Sequence, residues 1–139
     1  MSHTPESLFL LNLSLLQSKL VKRIDYHLGT VGLSFSEYQI LHSLSTAPNK
    51  TLSRIQLAES VGLSASGITR LLAPMEKIGM VEKENHPRDA RMSLVKIAKG
   101  GERLYKDGTS FLAEVGATIS DKLTASQFEK LQQLTGLLL

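Results

Sequence analysis

The chain has 139 residues, enough for one domain with a sizeable core, and 42% hydrophobic with 21% charged residues describes a soluble globular protein rather than a disordered one. It contains no cysteine, which excludes a disulfide frame, a thiolate metal site and a thiol redox switch, and fits a reducing, cytoplasmic setting. A formal charge of +3 with a pI near 9.3 leans only weakly toward an anionic partner until the placement of the charges is known.

Over residues 5 to 28, Phe9, Leu13, Leu16, Leu20, Ile24 and Leu28 recur at helical spacing. Leu8, Leu10, Leu11 and Leu15 widen this stripe until the start of the helix is apolar nearly all round. Such a segment must be buried on several sides, and a partner chain is the expected cover. The run from Leu8 to Leu16 is too short to span a bilayer and soon meets Lys19, Lys22 and Arg23, so no membrane association is expected. With Glu6 and no basic leader at the N-terminus, no signal peptide is expected either.

Gly29 and Gly32 are expected to break this helix. Ser34 and Glu37 then form a capping box for a second helix, running through Ile40, Leu41 and Leu44 to about Ser45. Pro48 and Asn49 mark a loop, and Leu52 suits a brief strand.

The stretch from Arg54 to Ala73 reads as two short helices joined by a tight turn. Ser53 and Gln56 make a capping box at the start of the first helix. Gly62 can take the left-handed conformation that ends it, and Ser64 can cap the second. Leu57, Val61, Leu63, Ile68, Leu71 and Leu72 would fill the angle between the two helices. If the second helix buries Ile68, Leu71, Leu72 and Met75, its other face carries Ala65, Ser66, Thr69, Arg70 and Ala73. That face is small and polar with one arginine, which suits a DNA major groove. Gly79 is expected to stop the helix.

Met80 to Glu84 and Met92 to Ile97 look like the strands of a hairpin, joined by the polar, basic segment Asn85 to Arg91. A helix-turn-helix followed by such a hairpin is a winged helix, whose tip can reach the DNA backbone or the minor groove. Leu104, Phe111, Val115 and Ile119 mark a helix from Lys99 to about Ser120, with Gly108 and Gly116 lowering its intrinsic helicity. Thr124 and Gln127 form a capping box for a last helix carrying Phe128, Leu131, Leu134 and Leu138. The closing leucines 137 to 139 are expected to pack against the first helix, its copy in a second chain, or both.

Nearly the whole chain resembles the MarR family of bacterial transcription regulators. The features that carry the resemblance are the Leu57-Ala58 pair, the block Thr69 to Leu72, the strand entry Gly79 to Lys83, and the wing Asp89-Ala90-Arg91 with Leu94 to Ile97 behind it. The resemblance implies a mainly α fold, with a winged helix-turn-helix over residues 33–97. A helical dimerisation region would be formed by residues 1–32 and 98–139, making 1–139 a single domain. It implies a homodimer on pseudo-palindromic double-stranded DNA, acting most often as a repressor. It further implies release by a small effector, commonly an anionic aromatic compound, bound between the DNA-binding and dimer regions.

By the same resemblance Ser64, Ala65, Ser66, Thr69 and Arg70 would face the major groove, and Arg91 would enter the minor groove. Asp89 would hold an arginine, either Arg70 or Arg91, by a charge-assisted bond. Arg88 is expected near a phosphate, as is Lys83. Dimerisation falls to Leu8, Phe9, Leu13, Leu16, Phe128, Leu131, Leu134 and Leu138. Two departures from the family pattern stand out. Ala98 occupies a helix-capping position often held by threonine, and Pro74 sits inside the presumed recognition helix, where it is expected to bend or end the regular structure.

No catalytic constellation is apparent, and neither enzymatic activity, a cofactor nor a metal is expected. His3, His27, His42 and His86 are scattered and read as surface or partly packed imidazoles. Gly62 to Ser66 resembles a nucleophile elbow but ends in serine and does not follow a strand. Gly100-Gly101 lacks the lysine and serine of a phosphate loop. The alternative to DNA binding is a winged helix used for protein contacts, with its wing a solvated loop.

Overall fold

The structure is a computed structural model that describes residues 1–89 and 91–139. Ala90, the middle residue of the wing motif, lies outside the described residues. Six α-helices and one three-stranded antiparallel sheet make up the described chain.

Helix α1, Pro5–Leu28, starts at Thr4, whose side chain accepts the Ser7 N–H. It ends at Gly29 as expected, and that glycine stays right-handed as the C-cap and leads into one tight 3-10 turn. The reversal falls at Gly32, at φ 79°, where a side chain would be strained. Helix α2, Phe35–Thr46, begins with the capping box of Ser34 and Glu37. Asp25 of α1 also accepts the Phe35 N–H at 2.6 Å, tying the two helices at their corner.

Strand β1, Thr51–Ser53, leads directly into α3, Arg54–Val61, and α4, Ala65–Lys77, follows after the turn at Gly62. Strands β2, Val81–Asn85, and β3, Ser93–Ile97, each begin one residue later than their sequence pattern suggests. β3 lies between β1 and β2, pairing Leu52 with Val95 on one side and Lys83 with Val95 on the other. The sheet thus anchors the hairpin to the entry of the helix pair. Helices α5, Lys99–Ser120, and α6, Ala125–Leu138, complete the chain.

One core runs through α2, α3, α4 and the sheet to the C-terminal end of α1, built on Leu28, Ile40, Leu41, Leu44, Leu57, Ile68, Met75 and Met80. Pro74 does not end α4. The helix passes through it to Lys77, because Met75 is fully buried and holds the last turn in register. Only the backbone donor at Pro74 itself is lost. Leu63 is 37% exposed and does not fill the angle between α3 and α4, which rests on Leu57, Ile68 and Leu72 with Val61 and Leu71 partly buried.

α5 packs against both α1 and α2. Gly108 is buried, and a Cβ there would lie 2.9 Å from the ring of Tyr38. The glycine that weakens α5 as a helix is what lets α5 and α2 touch. Beside it the Thr109 hydroxyl donates to the Tyr105 carbonyl, so Tyr38 must donate to Thr109. Burial pushes the Tyr38 phenol up, which suits a neutral donor. His42 Nδ1 and the Tyr105 hydroxyl meet at 2.9 Å to extend the same seam. An ion pair from Lys50 holds the Glu102 carboxyl below its ordinary range at the other end of the head.

Ala98 takes the extended conformation of an N-cap but offers no side-chain bond to α5. Ala98→Thr should therefore stabilise the fold by about 1 kcal/mol, seen as a higher denaturant midpoint at unchanged slope.

The closing leucines are not packed within the chain. Leu137, Leu138 and Leu139 are 81%, 72% and 102% exposed, which overturns the intrachain half of that expectation. No helix among the described residues is long and apolar enough to cross a membrane.

Candidate nucleic-acid interface

The helix pair is set by caps and a turn. Ser53 accepts the Gln56 N–H while Gln56 accepts the Ser53 N–H. Gly62, at φ 74°, donates to the Ala58 carbonyl, and Leu63 donates to the same oxygen, closing α3. Ser64 accepts the Gly67 N–H at 3.1 Å to start α4. Ser64 is thus occupied as a cap, and its hydroxyl meets Ser66 at 3.2 Å.

α4 divides sharply into two sides. Ile68, Leu72 and Met75 are buried, whereas Ala65, Ser66, Thr69, Arg70 and Ala73 are all exposed. Side chains this small leave backbone close to the surface and leave Arg70 standing clear. Among the described residues Arg70 forms no ion pair, so neither Glu59 nor Asp89 holds it.

The wing is organised by its own side chains. His86 Nδ1 accepts the backbone N–H of both Arg88, at 3.0 Å, and Asp89, at 3.1 Å. Two donors on one nitrogen require it to carry no proton, which leaves the hydrogen on Nε2. His86 is therefore a turn-forming residue rather than a bystander. Asp89 Oδ1 accepts the Arg91 N–H at 3.0 Å and lies 3.8 Å from Arg91 Nε. Of the two arginines weighed for Asp89, the structure pairs it with Arg91. This contact is loose, since the Arg91 side chain is 96% exposed and free to reach elsewhere. Arg88 is exposed beside it, and Lys83 lies 3.9 Å from Glu76 at the foot of the wing.

Arg54 is the residue the sequence reading passed over. Its Nη1 donates to the Thr69 hydroxyl at 3.0 Å, joining α3 to the exposed side of α4. One local signal was available. A cation in the first turn of a helix faces the positive end of the helix dipole and is mildly unfavourable there. Such a broken rule often marks a residue kept for another purpose.

Away from this surface, an open cleft of about 540 Å³ lies between α1, α2 and the turn after α3. Leu16, Leu20, Ile24, Phe35 and Leu63 line it together with the amides of Gln17 and Gln39, and no charged side chain does. Among the described residues no buried side-chain nitrogen or oxygen lacks a hydrogen-bond partner, and no three His, Asp or Glu side chains converge as a metal site would need.

A helix-turn-helix backed by a three-stranded sheet, with a basic hairpin alongside and long helices at both ends of the chain, is a winged helix mounted on a helical stalk. The sequence model of the MarR family matches residues 33–93, from just before α2 to the start of β3. Solved structures share the fold over nearly the whole length of the chain. A cysteine-to-serine variant of MarR from E. coli, complexed with operator DNA, matches with a TM-score of 0.85 at 20% identity, covering 99% of each chain. A MarR family transcriptional regulator from Streptomyces coelicolor, in complex with DNA, matches with a TM-score of 0.86 at 20% identity, covering 99% of this chain and 89% of that one. An organohalide-sensing transcriptional regulator in its ligand-free form matches with a TM-score of 0.85 at 17% identity, covering 99% of this chain and 80% of that one.

Proposed function

We propose that this chain is a sequence-specific DNA-binding regulator of transcription, acting in the cytoplasm as a homodimer and most simply as a repressor. The observation that carries the reading is the two-sided helix α4. Its exposed side is stripped to small and polar residues around an unpaired Arg70, with Arg88 and Arg91 presented on the wing beside it. A solvated helix with no partner has no need of so bare a face. A helix entering a groove about 12 Å wide does.

In this reading Ser66, Thr69 and Arg70 meet base edges. Ser64 and Ala65 lie at the helix start, where backbone N–H groups and the helix dipole favour a phosphate. Arg91 leaves its loose contact with Asp89 for the minor groove, while Asp89 keeps the wing turn through the Arg91 N–H. Arg88 neutralises a phosphate.

Residues 33–97 form the DNA-binding head, and residues 1–32 with 98–139 form the dimer region. Support for the latter is the apolar surface left bare on one chain: Leu8, Phe9, Leu13 and Leu16 on α1, and Leu131, Leu134 and Leu138 on α6, with Phe128 half-buried. So long a strip of exposed apolar side chains is rare on a monomer. The cleft between stalk and head is the natural seat for an effector. Its uncharged lining favours a small, largely apolar or aromatic molecule held by amide hydrogen bonds, rather than the anionic type expected from the family.

Selection of duplexes from a randomised pool, followed by footprinting and a salt titration, tests the reading. An inverted repeat with half-sites roughly 34 Å apart should emerge, bound with an affinity that falls steeply as salt rises. Arg91→Ala should weaken binding by roughly ten- to a hundredfold and leave the oligomeric state unchanged. Absence of any selected repeat, or salt-insensitive binding, would overturn the assignment.

A further inference from the structure

We infer that Arg54 is a specificity-positioning residue: it fixes the Thr69 hydroxyl as a hydrogen-bond donor pointing out of α4, and so decides which base edge that side chain reads. The inference rests on the DNA-binding reading above and names a determinant within it.

A threonine inside a helix ordinarily donates its hydroxyl proton back to a carbonyl one turn earlier. Four of the five threonines within helices here do so: Thr46 to His42, Thr109 to Tyr105, Thr118 to Val115, and Thr135 to Leu131. Thr69 is the exception among the described residues. It makes no bond to its own helix, and its oxygen instead receives the Arg54 guanidinium at 3.0 Å.

The direction of that bond is not ambiguous. A guanidinium has only donors, so Thr69 Oγ1 must accept. With one lone pair engaged by a cationic donor and no backbone carbonyl taking its proton, the hydroxyl directs that proton away from the protein, and the guanidinium charge beside it weakens the second lone pair as an acceptor. Thr69 is exposed on the side of α4 that also carries Ser66 and Arg70.

A fixed outward donor is selective. In the major groove it is matched by an acceptor, a purine N7, guanine O6 or thymine O4, and mismatched by the N4 amino group of cytosine. An unconstrained threonine would discriminate less, because its hydroxyl can rotate to accept from cytosine N4 or to bond its own helix. Arg54 is only half-buried and forms no ion pair among the described residues, so its effect on Thr69 is not diverted to a carboxylate.

The test compares the full-length parent with Arg54→Ala, Thr69→Val and the double variant. Each is measured against a duplex selected by the parent from a randomised pool, and against every single-base-pair change in that duplex. Both altered side chains face solvent or lie near it, and thermal melts identify the variants as folded. Arg54→Ala should flatten the parent's preference at one base pair by roughly tenfold. Thr69→Val should flatten the same base pair, and the double variant should lose no more than either alone, as one coupled unit requires. If Arg54→Ala instead weakens binding equally for all sequences and lowers the salt slope by about 0.9, Arg54 is a plain phosphate contact and the inference fails. A parent that selects no sequence would overturn the DNA-binding reading itself, and this inference with it.

Discussion

Gly101→Ala should be among the most damaging single-methyl additions to this protein, costing about 3 kcal/mol of stability. The glycine is buried in the first turn of α5, where the stalk helix crosses the start of the hairpin. A Cβ there would run into the backbone carbonyl oxygen of Met80, with Ile97 Cγ1 at 3.0 Å and Leu41 Cδ2 at 3.1 Å on either side. None of the three can yield cheaply. The carbonyl accepts the Ala98 N–H, and Ile97 and Leu41 are core residues. Against this stands the gain that alanine brings to any helix, about 1 kcal/mol. Steric displacement of backbone is the larger effect, so the sign is a loss. Gly116 supplies the opposite case within the same helix. A Cβ there meets nothing within 4 Å, so Gly116→Ala should stabilise by about 0.5–1 kcal/mol. Denaturant unfolding of both variants at one protein concentration checks the pair. A Gly101→Ala protein as stable as the parent would mean that α5 sits farther from the head than described.

Phe9→Glu combined with Leu16→Glu should leave the chain monomeric and lower its affinity for an inverted-repeat duplex by at least about a hundredfold. Both side chains lie on one face of α1 and are 50% and 52% exposed in the single chain. Glutamate at either position can therefore be solvated in a monomer, and the head should keep its fold. In a dimer the same charges would be buried among leucines, at a cost far above what an apolar interface recovers from two residues. Separating the heads removes the advantage of the second half-site, an effect worth roughly 10²–10⁴ in affinity when two modules are linked. Sedimentation equilibrium and a binding titration on full-site and half-site duplexes read both consequences. A double variant that remains dimeric would move the interface away from α1.

The local vocabulary of this chain was legible without a structure because its signals act over a few residues. Ser34, Ser53 and Thr124 announce helix starts through the residue three positions on, and each box is formed. Gly62 marks the turn because only its backbone conformation is at issue. The buried and exposed sides of α4 follow from helical spacing alone, since Ile68, Leu72 and Met75 fall one turn apart.

What composition and periodicity could not reveal are relations between segments distant in the chain. Gly108 reads as a weak point in a helix until Tyr38 is seen against it. Leu63 reads as core until the turn geometry points it toward α1. Asp89 could have held either of two arginines, and the fold of the wing brought it to Arg91. Arg54 and Thr69 are 15 residues apart on different helices, and no local pattern joins them. Periodicity and capping determine which elements form and which faces are apolar, because those energies depend on neighbours along the chain. Which carbonyl crowds a glycine, and which hydroxyl receives a guanidinium, depends on how close the elements pack, and only the tertiary structure decides that.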